Sequence, residues 1–247
     1  MMVLMRQDGL NRREFVCGLS VFPFWGRPGT VRFAEARFRV LRRGASSRRY
    51  LHIHGDETSA REVLLAHMKH SHGVAFLVRS QWRTVPLLGG RVDPNRMFSR
   101  AGAEANLRKL NPDWNEAKLK AALDALDRAR PGFLKAVRPP AGGLLIAVHN
   151  NSSGYSVHDE VPISDLVSLK NPGHPREFLL CTDPGDFDVL RTFRWNVVLQ
   201  QEAPPSDDGS LSRLAAREKF RYLNIETPRG DFARQQLLLA AIDDELR

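Results

Sequence analysis

Hydrophobic positions along the chain follow two alternating periods, one typical of strands and one typical of helices. Short runs rich in apolar and β-branched residues predict strands over residues 31–41, 49–54, 74–78, 143–149, 177–181, 195–199 and 220–226. Apolar residues at helical spacing predict helices over residues 58–68, 115–129, 187–192 and 231–246. This alternation predicts an α/β fold, with a mixed, mostly parallel β-sheet flanked by helices on both faces.

Turn-forming residues mark where some of these elements should begin and end. Asn-Pro-Asp at 111–113 is a natural turn before the helix at 115–129, and Pro-Gly at 131–132 is expected to stop that helix. The run at 143–149 is the most strand-like in the chain and predicts a strand buried on both faces. The span 150–175 is rich in loop-forming residues.

Chain length and charge narrow the class of protein. With 247 residues, 42% of them hydrophobic, the chain can bury one sizeable core and is predicted to form a single domain. No run reaches the roughly 20 apolar residues of a membrane-spanning helix, so no membrane span is expected. The net charge of +9 favours acidic partners. The basic residues of the amino-terminal part lack interleaved aromatics, so they predict a solvated face and no nucleic-acid partner.

Residues 1–36 resemble a twin-arginine export signal, and the alternative is a basic arm or a first strand. Asn-Arg-Arg-Glu-Phe-Val at 11–16 precedes a short apolar run at 17–25, and Ala-Glu-Ala at 34–36 is a small-residue cleavage site. A proline inside the apolar run is atypical of such a signal. Export predicts a periplasmic or secreted protein with its main domain at 37–247; without it, the protein is expected to be cytoplasmic.

A histidine and a glutamate at a strand end form the first candidate metal site. His54-Gly55-Asp56-Glu57 follows a predicted strand and opens a predicted helix, so the imidazole and the carboxylate can converge on one cation. Gly55 is expected to let the backbone turn tightly between them. Zinc binds imidazole and carboxylate, and a catalytic zinc has three protein ligands and a water. The same spacing also occurs in ordinary surface pairs, so a third ligand is needed.

Later segments supply the further groups. Asn95 and Arg96 place an amide beside a guanidinium, which can bind a substrate carboxylate bidentately. His149 ends a predicted strand, at the sheet edge where α/β proteins place their sites. Glu226 lies in an apolar predicted strand, where a carboxylate is costly unless it is paired or has a chemical role.

These motifs resemble those of the zinc carboxypeptidase superfamily, and within it the succinylglutamate desuccinylase and aspartoacylase branch. His-Gly-Asp-Glu-Thr at 54–58 is similar to that branch's His-Gly-Asn-Glu-Thr zinc motif, and 95–98 is similar to its Asn-Arg-Met-Phe segment. His149 follows Glu57 by 92 residues, which suits this compact branch, and Glu226 lies 77 residues further on, where the family places its general base. No single motif is specific to this family, but the order and spacing of the four motifs together are.

The resemblance implies a carboxypeptidase-like fold, a zinc hydrolase domain at 37–247 and a role for each motif residue. It implies that His54, Glu57 and His149 bind Zn²⁺. It also implies that Asn95 and Arg96 bind the carboxylate of the substrate and that Glu226 is the general base. A further cation is expected to stabilise the oxyanion of the reaction. Arg79 and Arg91 are the two candidates, and their spacing does not distinguish them.

Two departures from the relatives leave the substrate open. The tyrosines of the chain are Tyr50, Tyr155 and Tyr222, and none is placed like the flap tyrosine of the digestive carboxypeptidases. Only a helix-length tail follows Glu226, where the desuccinylase branch usually carries a small β-domain. The substrates of the digestive carboxypeptidases and of the desuccinylase branch are therefore not assigned to this chain.

Other polar residues carry weaker signals. Three histidines at the end of a predicted helix are candidates for a second metal site: His67, His70 and His72. Histidines in a last helical turn also interact favourably with the helix dipole, which explains them without a metal. His52 shares a strand face with His54 and is expected to pack behind the site. Residues 158–160 either line the cleft or belong to the exposed surface.

The leading hypothesis is zinc-dependent hydrolysis of an amide or peptide bond next to a carboxylate-bearing residue, in a small peptide or an acylated amino acid. Export would make cell-wall peptides the natural substrates. The first alternative is a cytoplasmic deacylase of N-acyl amino acids. The second is a non-catalytic metal-binding protein that holds anionic polymers on its basic surface, and the presence of Glu226 argues against it.

Overall fold

The computed structural model describes residues 29–202 and 206–246. The strands are β1 (Gly29–Phe33), β2 (Ala36–Arg43), β3 (Arg49–His52), β4 (Gly73–Val78), β5 (Val85–Leu87), β6 (Gly90–Val92), β7 (Leu145–Asn151), β8 (Leu166–Leu169), β9 (Phe178–Cys181), β10 (Asn196–Leu199) and β11 (Tyr222–Pro228). The helices are α1 (Thr58–His67), α2 (Arg100–Leu110), α3 (Glu116–Val137), α4 (Val157–Glu160), α5 (Pro184–Leu190), α6 (Leu211–Arg217) and α7 (Phe232–Glu245). Short 3-10 turns occupy Pro94–Arg96 and Val161–Ile163.

Nine strands form one sheet in the order β1-β2-β4-β3-β7-β11-β9-β10-β8, and β5 and β6 form a separate hairpin. The central run β4-β3-β7-β11 is parallel throughout. Four of the eight pairings in the sheet are antiparallel, namely β1–β2, β2–β4, β9–β11 and β8–β10. The predicted α/β fold with a mixed sheet is confirmed, but the sheet is not mostly parallel. The alternation of apolar segments does not encode strand direction, and a short hairpin such as β1–β2 can only be antiparallel.

The sheet separates two hydrophobic cores, each covered by its own helices. On one face α2, α3 and α6 pack through residues such as Leu107, Leu126 and Leu214. On the other face α1, α5 and α7 pack through residues such as Leu64 and Leu239. Every residue of β4 and β7 is buried, because both faces of these strands are covered. Helices on both faces and a fully buried strand at 143–149 were predicted, and both are found.

Helix α3 continues past the point where the sequence predicted its end. It runs from Glu116 through Pro131 to Val137, rather than stopping at 129. The ring of Phe133 lies 4.9 Å from that of Phe33 and 4.8 Å from that of Phe38, so the last turns are anchored in the core. Aromatic packing of this kind stabilises the helix enough to outweigh the hydrogen bond that a proline removes.

The amino-terminal part of the described chain belongs to the sheet. The segment predicted as one strand at 31–41 is a hairpin, in which β1 pairs antiparallel with β2. Ala-Glu-Ala at 34–36, the predicted cleavage site, lies at this turn, and Ala34 has a positive φ of 51°. Residues 29–36 are therefore part of the sheet and its first turn. The Arg-Arg motif at 12–13 lies outside the described residues.

Several elements carry no clear signal in the sequence. The helices α2 and α6, the hairpin β5–β6 and the edge strand β8 were not predicted, and α4 and β8 lie in the span predicted to be loop-rich. These elements are short or lack a regular apolar period, so long-range packing decides their conformation. No helix in the described ranges combines the length and the apolar character needed to cross a membrane.

Candidate metal centre

Three neighbouring parallel strands bring the motif residues to one edge of the sheet. His54 follows β3 by two residues, His149 lies in β7, and Glu226 lies in β11. β7 pairs in parallel with both β3 and β11, and His149 and Glu226 are register partners. Because the carboxyl ends of parallel strands share one edge, the three side chains reach the same region of space.

His54, Glu57 and His149 form a buried group that can hold a metal ion. One potential ligand atom from each lies within 4.8 Å of the others, and each residue is at most 3% exposed. Nδ1 of His54 lies 2.8 Å from Oε1 of Glu57, and Nδ1 of His149 lies 3.1 Å from Oε2 of the same carboxylate. Two imidazoles and one carboxylate are a donor set that suits a divalent transition metal.

The remaining histidines considered from the sequence do not join this group. Within residues 29–202 and 206–246, no other set of three metal-ligating side chains has comparable geometry. His67 is paired with helix α7, its Nε2 lying 2.6 Å from Oδ2 of Asp243. His70 and His72 are exposed. His52 is fully buried behind the site, where its Nε2 lies 3.0 Å from the carbonyl oxygen of Glu57.

Gly55 is required by a close backbone contact. A Cβ at this position would lie 2.2 Å from the carbonyl oxygen of Ser80. The Gly55 amide donates to the carbonyl of Trp82 at 3.1 Å, which ties the metal motif to the loop after β4. Gly55 lies in the predicted turn, in which the Glu57 amide donates to the His54 carbonyl at 3.3 Å. It is absent from the residues of positive φ, so the close contact with Ser80, rather than an unusual φ, requires the glycine.

Asp93 holds the second nitrogen of His54. Oδ1 of Asp93 lies 2.8 Å from Nε2 of His54, which leaves Nδ1 facing Glu57. Such a carboxylate fixes the orientation of a ligating imidazole and raises its basicity. Burial lowers the pKa of His54, but Glu57 and Asp93 outweigh it and raise that pKa to about 9 in the metal-free protein. No role was predicted for Asp93 from the sequence, although it lies two residues before Asn95.

The cation beside the metal-binding group is Arg83. Its Nη1 lies 3.3 Å from Oε1 of Glu57, and its Nε lies 3.3 Å from Oδ2 of Asp93. The Arg83 side chain is 51% exposed, so it can change partners without breaking the core. The two arginines considered from the sequence, Arg79 and Arg91, are exposed and do not line the site.

Asn95 and Arg96 line the same cavity as the metal-binding group. Oδ1 of Asn95 accepts a hydrogen bond from the amide of Leu211 at 3.1 Å. Nη1 of Arg96 lies 3.4 Å from Oδ2 of Asp208. These contacts connect the 3-10 turn after β6 to the start of α6, and they leave the amide nitrogen of Asn95 available to a ligand.

Glu226 is a buried carboxylate held by two amides. The side chain of Asn224 donates to Oε1 at 3.2 Å, and that of Asn151 donates to Oε2 at 3.2 Å. Burial raises the pKa of Glu226 to about 7; nearby His149 and the two amides lower it, and Glu57 raises it further. A carboxylate with a pKa near neutrality can both accept and return a proton.

The metal-binding group, Arg83, Asn95, Arg96 and Glu226 line a single cavity of about 450 Å³, which is large enough for a dipeptide-sized ligand. Asn150 and Asn151, at the end of β7, and Ser152, in the loop that follows, form part of its wall. Of residues 158–160, Glu160 lines the cavity, whereas His158 is exposed and the Asp159 carboxylate accepts from the Ser156 amide at the start of α4.

Comparison of the chain with protein-family models, with curated proteins and with solved structures finds no match in any of the three. The resemblance to the zinc carboxypeptidase superfamily therefore rests on the short motifs alone and stays a prediction. The case for a function rests on the geometry of the site.

Proposed function

We propose that the protein is a zinc-dependent hydrolase that cleaves an amide or peptide bond next to a carboxylate-bearing residue. One observation carries the proposal: the metal-binding group His54, Glu57 and His149 shares a cavity with Glu226, a buried carboxylate that has no cationic partner within 4.0 Å among the described residues. The spacing of the four motifs, which resembles that of the zinc carboxypeptidase superfamily, supports the same conclusion.

The donor set favours zinc among the divalent metals, because imidazole and carboxylate are its usual ligands in catalytic sites. When bound, zinc supplies Lewis acidity that polarises the scissile carbonyl and lowers the pKa of a water molecule. Asp93 keeps His54 in the orientation that directs Nδ1 into the site. Burial of the whole group strengthens each electrostatic interaction within it.

Glu226 acts as the general base in this proposal. Its carboxylate accepts a proton from the attacking water and later returns that proton to the leaving amine. The amide groups of Asn151 and Asn224 fix both carboxylate oxygens, so the base is held in one orientation. Arg83 replaces Arg79 and Arg91 as the cation that stabilises the oxyanion, because its guanidinium contacts the metal-binding group and theirs do not.

Asn95 and Arg96 bind the carboxylate of the substrate. Both side chains line the cavity, and the guanidinium can exchange its partly exposed partner Asp208 for the substrate. An amide donor beside a guanidinium recognises the two oxygens of a carboxylate. The bond that is cleaved therefore lies next to the residue that carries this group.

Metal analysis combined with two substitutions tests the proposal. Purified protein should contain about one zinc per chain, and His149→Ala should lower that content. Glu226→Gln should keep the zinc and lose hydrolysis of N-acyl amino acids and short peptides. A chelator should abolish wild-type hydrolysis, and added zinc should restore it.

The alternative functions give different results in the same experiment. Zinc binding without hydrolysis of any substrate would favour a non-catalytic metal-binding protein. Hydrolysis confined to N-acyl amino acids would favour a deacylase. Amino-terminal sequencing of the protein from its native host would decide between a periplasmic or secreted enzyme and a cytoplasmic one.

A further inference from the structure

A second group of charged side chains lies in the cavity, on elements that do not carry the metal-binding residues. Arg213 lies in α6, and Glu160 ends α4. Both side chains line the cavity, together with Tyr155, Leu180 and Ile163. None of these residues has a part in the chemistry proposed above.

Arg213 is a buried cation without a carboxylate partner. It is 6% exposed, and its Nη1 donates to Oε1 of Gln200 at 3.3 Å. Of the four arginines that line the cavity, the other three each have a carboxylate within 4.0 Å: Arg83, Arg96 and Arg229. In the described part of the chain, no carboxylate lies within that distance of Arg213. A buried charge of this kind is costly unless a ligand of opposite charge neutralises it.

Glu160 is the matching anion. Its Oε1 accepts a hydrogen bond from the hydroxyl of Tyr155 at 2.5 Å, and its Oε2 accepts one from Nε2 of Gln200 at 2.5 Å. These neutral donors hold the carboxylate in one orientation, and no lysine, arginine or histidine of the described ranges forms an ion pair with it. The carboxylate therefore faces the cavity as an oriented acceptor for a cation.

Gln200 keeps the two charges fixed relative to one another. Its amide oxygen faces Arg213 and its amide nitrogen faces Glu160, so one buried side chain separates the guanidinium from the carboxylate. Arg213 and Glu160 do not form an ion pair, although both line the same cavity. A ligand that carries both signs of charge could neutralise both groups, whereas a purely anionic ligand would be repelled by Glu160.

We propose that Arg213 and Glu160 form a subsite for a zwitterionic side chain, in which a substrate ammonium binds Glu160 and a substrate carboxylate binds Arg213. Leu180 and Ile163 supply apolar wall for an aliphatic spacer. The chemical class that fits is a diamino dicarboxylic acid, whose side chain ends in an amino acid group. This inference rests on the proposed function, because it identifies the residue next to the cleaved bond.

Binding of four free amino acids tests the subsite without requiring hydrolysis. The side chain of 2,6-diaminopimelate ends in both an ammonium and a carboxylate. That of lysine has only the ammonium, that of 2-aminopimelate has only the carboxylate, and that of norleucine has neither. Calorimetry on the zinc-loaded protein should find that diaminopimelate binds at least about tenfold tighter than each of the other three, as expected for charge-assisted hydrogen bonds in a buried site. Equal affinities for diaminopimelate and norleucine would overturn the proposal, as would undetectable binding of all four.

Two substitutions separate the roles of the charges. The Arg213→Gln variant should bind diaminopimelate and lysine with similar affinity. The Glu160→Gln variant should bind diaminopimelate and 2-aminopimelate with similar affinity. Arg217→Gln is the matched control, because Arg217 is an exposed arginine on the same helix. Thermal unfolding should show that each variant is folded. Because lysine keeps the positive charge, Arg213→Lys should retain part of the preference for diaminopimelate over lysine. An unchanged preference in a folded Arg213→Gln variant would rule the subsite out.

The two proposals can fail independently. If N-acetylated forms of all four amino acids are hydrolysed equally well, the zwitterion subsite is wrong and the hydrolase proposal stands. If diaminopimelate binds selectively but none of its acylated or peptide derivatives is hydrolysed, the subsite stands and the hydrolase proposal is wrong.

Discussion

The imidazole Nε2 of His54 lies 2.8 Å from Oδ1 of Asp93, while the other nitrogen of the same ring faces Glu57. Each ring nitrogen therefore has a carboxylate partner. Asp93 belongs to the segment that also carries Asn95 and Arg96, so the metal-binding group and the proposed substrate-binding pair are mechanically connected.

Replacing Asp93 by Ala should weaken zinc binding by about 10- to 100-fold, the usual effect of removing such a hydrogen-bond partner. The loss arises because the His54 ring is then free to rotate and is less basic. Competition against a chromogenic chelator measures the affinity. Asp113→Ala serves as control, since Asp113 is exposed. Equal zinc affinities for the two variants would contradict the role given to Asp93.

Zinc binding at pH 7 should release about one proton from His54. The pKa of His54 is raised to about 9 in the metal-free protein, so this imidazole is protonated at pH 7 and must become neutral to bind a metal. The affinity for zinc should therefore increase as pH rises from 7 towards 9. Calorimetric titration in two buffers of different ionisation enthalpy measures the protons released, and identical observed enthalpies in both buffers would count against this protonation state.

Hydrolysis should be lost at acidic pH. Glu226 can accept a proton only as a carboxylate, and burial raises its pKa to about 7 in the metal-free protein. A bound cation favours the carboxylate, so the acidic limb of kcat/KM should have an apparent pKa at or below this value. Activity must fall as pH falls through that pKa, and the pH profile of kcat/KM measures it. Activity that instead rises as the pH falls from 7 to 5 would exclude Glu226 as the base.

Arg83→Ala should lower kcat by about 100-fold or more, as expected when a group that stabilises developing negative charge is removed. The zinc content should remain unchanged, which separates a loss of chemistry from a loss of metal. Arg79→Ala and Arg91→Ala are matched controls, because both arginines are exposed and outside the cavity. A larger loss of activity in either control than in Arg83→Ala would return the oxyanion role to that residue.

Gly55→Ala should destabilise the protein by about 1–3 kcal/mol, because the new methyl group overpacks against the Ser80 carbonyl. The shift should also move His54 and so weaken zinc binding. Urea unfolding measures the change in the free energy of unfolding. Gly154→Ala is the control, since a Cβ added at Gly154 would have no neighbouring atom within 4 Å, and it should change stability little. Similar unfolding curves for the two variants would show that the close contact at Gly55 does not affect the free energy of unfolding.

Much of the arrangement follows from local pattern. The strands β4 and β7 begin with unbroken apolar runs, and β11 is apolar apart from Asn224 before it reaches Glu226, so the positions of all three are predictable. His149 and Glu226 were recognisable because each is a polar group near the end of such a run. By contrast, α3 passes through Pro131 because Phe133 is packed between distant aromatic rings, and no local signal reports that packing.

The amino-acid sequence by itself determined the α/β class, the strand that leads to His54 and the four motifs of the proposed site. These depend on local periodicity and residue chemistry, which a single segment contains in full. Only the tertiary structure decided the direction of each strand, the position of Arg83 beside Glu57, and the pairing of Asp93 with His54. It also brought Arg213 and Glu160 into one cavity. Such relationships join residues far apart in the chain, and they exist only after the loops at the sheet edge pack against one another.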